Sequence, residues 1–166
     1  MGSFHEAMHE YHQQLEKGAI QKAYLGLMQY MQGLRTHFQQ KHPEFVVSGS
    51  LYFGYMDMTY FAIAPQALKQ QGLKIAIVFL HEAFRFEVWL AGNNKQIQSK
   101  NWKLLKESGW EHYRLVPTTQ GADSILEHVL VEQPDFRDLD ALTTRIEDAT
   151  LQFTEDVVGF LAQHPG

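Results

Sequence analysis

At 166 residues, with 45% hydrophobic, 13% aromatic and 20% charged side chains, the chain has the size and make-up of one globular α+β domain, residues 1–166. A net charge of −5 with a pI near 6.0 gives no broad basic footprint for non-specific nucleic-acid binding, and the lack of cysteine excludes disulfides, thiolate metal sites and cysteine nucleophiles. No apolar run approaches the roughly 20 residues that span a bilayer, and the opening residues lack the basic-then-apolar order of a secretory signal, so a cytoplasmic location is expected.

Phe4, Met8, Tyr11 and Leu15 recur at helical spacing and predict a first helix that Gly18 ends. Ile20, Tyr24, Leu27, Met31, Leu34 and Phe38 keep the same period over five turns and predict a longer second helix, stopped before Pro43. The short connection folds the two into a helical hairpin.

From Phe45 the period changes to that of strands. Phe45–Phe53 and Asp57–Ala64 read as an antiparallel pair turning at Gly54, with Gly49 marking a bulge. Pro65–Gln71 reads as a short helix. Leu73–Leu80 is nearly continuous in apolar residues, as in a central strand covered on both faces. Its partner, Phe84–Ala91, alternates: Phe84, Phe86, Val88 and Leu90 on one face, Arg85, Glu87, Trp89 and Ala91 on the other.

Asn94 is a fair N-cap for a lysine-rich helix to about Glu107, and Tyr113–Pro117 reads as a fifth strand. Ser124 with Glu127 matches a capping box, which predicts a helix to about Val131. Leu139, Leu142, Ile146, Ala149, Phe153, Val157 and Phe160 predict a long last helix, preceded by Asp135 and Asp138. Clustered strands joined by tight turns predict a mainly antiparallel sheet of about five strands, two hairpins plus one, with the helical hairpin and the last helix packed on it.

The sharpest chemical motif is His5-Glu6-Ala7-Met8-His9, followed by His12. In a metalloprotease, imidazoles at i and i+4 share a zinc ion while the glutamate activates water. Nothing before it in the chain can wall a substrate groove, so catalytic zinc is not expected; a surface metal site at His5, His9 and His12 is the milder reading, beside an exposed polar helix face.

A second candidate is the polar and aromatic set Arg35, Tyr52, Tyr55, Asp57, Tyr60, His81, Arg85, Glu87 and Trp89, with Asn93 and Asn94 at a strand end. Rings and charges converging on a sheet are what a small-molecule site uses for orientation; the plainer alternative is a solvated sheet face with a cross-strand ion pair. Asp57 and Glu87 on neighbouring strands also suggest a metal-dependent nuclease, but Trp89 stands where that chemistry usually needs a lysine. Ser48 and Ser50 flank Gly49 without the helix a nucleophile elbow requires.

At Ser48-Gly49-Ser50, at residues 54–61 (GYMDMTYF) and at residues 86–93 (FEVWLAGN), the chain resembles an uncharacterised bacterial family, a domain of unknown function. The resemblance extends through residues 34–38 (LRTHF), Ser108-Gly109-Trp110 and residues 138–142 (DLDAL), and leaves out the His5–His12 stretch. It implies a bacterial single-domain protein and brings no catalytic residue with it. The reading of the whole sequence is a non-catalytic module binding a small molecule or protein, without a cofactor and able to homodimerise through an exposed apolar helix face. The alternative is a hydrolase or nuclease-like enzyme using Asp57 and Glu87, with His81 and Arg85.

Overall fold

The computed structural model describes residues 2–165. Ser3 caps helix α1 (Phe4–Lys17): its hydroxyl accepts from Glu6 N, and the Glu6 carboxylate accepts from Ser3 N in return. Gly18, at φ 81°, closes α1 and opens α2 (Ala19–Lys41), a left-handed geometry in which a side chain would be strained. The helical hairpin is therefore joined by one residue. Burial in α2 begins only at Met28 and continues through Met31, Leu34 and Phe38, while α1 buries none of its residues. The apolar period of α1 and of the first turns of α2 thus marks faces that the fold leaves uncovered.

The remaining elements are β1 (Phe45–Val47), β2 (Met58–Pro65), α3 (Gln66–Lys69), β3 (Leu73–Leu80), β4 (Arg85–Gly92), α4 (Lys95–Glu107), β5 (Arg114–Leu115), β6 (Leu126–Glu132) and α5 (Leu139–Gln163). All strand pairs are antiparallel, in the order β1-β2-β3-β4-β6-β5. The sheet has six strands rather than five because residues 126–132 form a strand and not the helix expected from Ser124 and Glu127. The Ser124 hydroxyl does donate to Glu127 Oε2, at 2.7 Å. However, β4 offers a free edge, Ile125 N donates to Leu90 O at 2.7 Å, and Leu126, Leu130 and Val131 are buried, so long-range pairing overrides the local cap.

Two other boundaries move. The first strand stops at Val47; Ser48 still exchanges hydrogen bonds with Ala62 of β2, N donating to Ala62 O at 2.9 Å and Oγ accepting from Ala62 N at 3.0 Å, and the chain returns to the sheet at the Tyr52–Tyr60 bridge. Phe84 leaves the strand and enters the turn at φ 55°, 41% exposed instead of in the core.

Strand alternation divides the apolar residues between two faces. Ile75, Ile77 and Phe79 of β3 and Phe86, Val88 and Leu90 of β4 join Met31, Leu34 and Phe38 of α2 and Leu142, Ile146, Phe153 and Val157 of α5 in the main core. A smaller cluster on the other face consists of strand residues alone: Ala76, Val78 and Trp89, with Met58, Tyr60 and Leu80 against them.

Candidate functional site

On that second face the alternation of β4 brings Arg85, Glu87 and Trp89 together. Glu87 is 4% exposed, and both of its oxygens are engaged: Oε2 accepts from Arg85 Nε at 2.6 Å and Oε1 from Trp89 Nε1 at 2.8 Å. Arg85 Nη1 also lies 3.6 Å from Glu132 Oε1, and on β6 Glu127 accepts from Ser124 and Arg114. A buried carboxylate holds its charge at tolerable cost only when its oxygens find donors, as they do here.

Beside this network lies a hollow of about 400 Å³ lined by Glu87, His112, Tyr113, Arg114, Glu127 and His128. The Tyr113 hydroxyl donates to Asp156, and burial together with that bond pushes the phenol's pKa up. His112 Nε2 lies 3.2 Å from the same carboxylate. Burial, and then the nearby His112, push His128 below the ordinary imidazole value. Glu87, Glu127 and Asp156 each accept from a neighbouring donor, and Glu111 also lines the hollow.

Of the other residues singled out in the sequence, Tyr60 stays on this face against the Trp89 cluster, and the rest are dispersed. Tyr60 packs on Tyr52 with ring centres 5.1 Å apart. Arg35 donates to Ser48 O at 3.1 Å and to Gln32 Oε1 at 3.3 Å, tying α2 to the segment after β1. Tyr55 is 92% exposed at a turn. Asp57 closes that turn by accepting from Tyr55 N at 2.8 Å; backbone donors from Tyr55 and Met58 hold its pKa below the usual value. Asn93 N donates to Gly72 O at 2.9 Å, and Asn94 caps α4 through Ile97 N.

Along the register Met58, Leu80, Arg85 and Tyr60, Val78, Glu87, Asp57 and Glu87 stand two strands and three residues apart, about 14 Å by ordinary sheet spacing. That separation does not fit two carboxylates on one metal ion. His5, His9 and His12 lie along exposed α1, and among the described residues no three His, Cys, Asp or Glu side chains gather to hold a metal.

His81 belongs to a different feature, a cleft of about 660 Å³ between the first three turns of α2 and one end of the sheet. One wall is Ile20, Ala23, Tyr24, Gly26 and Leu27; facing it are Phe79, Phe84, Phe136 and Leu139, with Met56 at the edge. Phe84 and Phe136 meet edge to face at 5.9 Å, and Phe79 meets Phe84 at 5.7 Å, a stiff aromatic wall. Met56, at φ 63°, and Phe84 are two of the three non-glycine residues with positive φ among those described, and both line the cleft. Such conformations persist only where the surroundings enforce them.

The Thr59 hydroxyl donates to Phe53 O at 2.7 Å and lies 2.9 Å from His81 Nε2. With its proton committed to Phe53, Thr59 accepts from His81, so the neutral ring carries hydrogen on Nε2 and keeps Nδ1 as an acceptor. Burial pushes the His81 pKa below the ordinary value, with Asp57 opposing. Tyr24, Tyr30, Met56 and Phe136 of this cleft were not singled out by sequence reasoning; Phe136 sits in a connection that carries no period, and Tyr24 reads as ordinary core.

The chain belongs to the family described as a domain of unknown function, DUF7000, whose model matches residues 4–161. The matched span includes the His5–His12 stretch, which the sequence resemblance had left out. No curated protein and no solved structure matches.

Proposed function

We propose that this member of the family is a non-catalytic binding module whose cleft receives one amphipathic helix from a protein partner. The observation that carries this reading is the shape and lining of the cleft. From Ala19 to Tyr30 it follows α2 for about 17 Å, close to three helical turns. Its walls are aliphatic and aromatic, and the ionisable side chains on it are Lys22, His81 and the phenols of Tyr24 and Tyr30. Apolar grooves of this kind hold a helix by anchors at i, i+3 or i+4, and i+7. Tyr30 is already bonded to Thr143 Oγ1 at 3.0 Å, which leaves Lys22, His81 and the Tyr24 phenol as the polar groups available to fix orientation. Against an enzyme stands the saturation of Glu87, Glu127 and Asp156 by neighbouring donors.

The test is fluorescence anisotropy with a labelled model helix of about 14 residues, leucine on one face and glutamate and alanine on the other. Gly26→Glu is the control, because a Cβ there meets nothing within 4 Å and the helix gains a better former. Wild type is expected to bind the peptide, and G26E about tenfold more weakly or worse, a loss above about 1.4 kcal/mol. Absence of binding to wild type at concentrations where it is monomeric, or equal binding by G26E there, overturns the reading. A small apolar molecule that stabilises wild type where the peptide does not would assign the cleft to a small ligand instead.

A further inference from the structure

Resting on the helix-in-groove reading above, we infer that the occupant of the cleft is α1 of a second copy of this chain, so that two chains exchange their first helices. The fold leaves both halves of such a contact open. On α1, Phe4 is 81% and Tyr11 53% exposed, with Met8 between them on the same face, and no residue of the helix is buried in its own chain. On the cleft, Ile20, Met56, Phe84 and Leu139 are large apolar residues that remain exposed.

The two surfaces match in length. Phe4 to Leu15 rises about 17 Å along α1, the same as Ala19 to Tyr30 along the cleft wall. They match in charge as well: residues 4–17 carry Glu6, Glu10 and Glu16 against Lys17 alone, and the cleft rim carries Lys22. The area is sufficient. Taking roughly 200 Å² for a whole large apolar side chain, the exposed fractions of these residues give about 700 Å² for each helix-in-cleft contact. Two reciprocal contacts then remove about 1,400 Å², inside the range of stable, specific interfaces. Exchange between two copies also makes the contact isologous and closed, so association stops at the dimer.

Sedimentation equilibrium of the full chain from about 1 to 500 μM tests this. Wild type is expected to form a dimer. Phe4→Glu with Tyr11→Glu in one chain should raise the dimer dissociation constant at least tenfold, and so should Gly26→Glu, with circular dichroism confirming that each variant folds. Mixing the two variants should give a heterodimer tighter than either variant's homodimer but weaker than wild type, because one intact contact, the G26E α1 in the double variant's cleft, is regained out of two. A wild type that stays monomeric at 500 μM, a double variant that dimerises like wild type, or a mixture that associates no more tightly than either variant alone overturns the exchange. The model helix of the preceding experiment is added to the double variant to separate the two readings. If it binds there while wild type is monomeric, the cleft still takes a helix and only the choice of occupant is wrong; if it does not bind, both readings fail.

Discussion

Glu87→Gln is the most direct probe of whether the sheet-face network holds the fold or serves a ligand. Glutamine keeps the shape of the side chain and one acceptor oxygen. One of the two present donors, Arg85 Nε at 2.6 Å or Trp89 Nε1 at 2.8 Å, must then face an amide NH₂. A hydrogen bond to a charged group contributes about 1.5–3 kcal/mol. The Arg85 side chain is 34% exposed, so water takes up part of its lost bond, and the expected destabilisation is about 2 kcal/mol, or roughly 4–8 °C in Tm for a chain of this length. Arg85→Met should cost more than E87Q, because it leaves the full charge of Glu87 buried with only the indole as donor. Urea unfolding followed by tryptophan fluorescence and by far-UV circular dichroism measures both. An E87Q chain within about 0.5 kcal/mol of wild type, or R85M milder than E87Q, would refute a structural role for the network.

Two further outcomes follow from groups elsewhere. Glu147 on α5 accepts from His42 Nε2 at 2.7 Å and lies 3.0 Å from His37 Nε2, with Glu44 on the far side of His42 at 3.6 Å. Burial works to raise the Glu147 pKa, but the bond from His42 and the nearby His37 ring outweigh it and bring the value below the usual 4.5. The folded chain therefore binds that proton less readily than the unfolded one. The stabilisation is complete above about pH 4.5 and is lost as pH falls through the folded value. Urea midpoints between pH 3 and 6 should show a shallower acid slope for Glu147→Gln than for wild type; parallel slopes would refute the assignment. Gly54 sits at φ 72°, and a Cβ there would lie 2.0 Å from Met58 O. Gly54→Ala should cost at least about 2 kcal/mol from left-handed strain and collision together. It should also weaken peptide binding, since the same turn carries Met56; an unchanged Tm would count against that turn geometry.

The strands were legible where burial and period agreed. Leu73–Leu80 has the boundaries its unbroken apolar run predicts, and the two faces of β4 separate at Phe86, Val88 and Leu90 against Arg85, Glu87 and Trp89 as alternation requires. Ser124 and Glu127 misled because a capping pair reports only local chemistry, whereas the free edge of β4 that recruits β6 lies more than thirty residues earlier. The cleft stayed hidden for a different reason. A helical apolar period says which side avoids water and not what covers it, so Phe4, Tyr11, Ile20 and Tyr24 read like Met31 and Phe38. The His37–His42–Glu147 cluster had no signal at all, since it pairs α2 with α5 across more than a hundred residues.

The strand order carries a kinetic consequence. β2, β3 and β4 are neighbours both in the sheet and along the chain, joined by the short α3 connection and by a tight turn, so they can nucleate as a meander while the ends of the chain are still unfolded. The next pairing joins Leu90 to Leu126 and must close a loop that contains α4 and β5, and longer loops cost more entropy to close. Contacts of that range reward the chain late. Until they form, the edge of β4 is bare, and a stalled chain would offer that strand to any neighbour able to complete it.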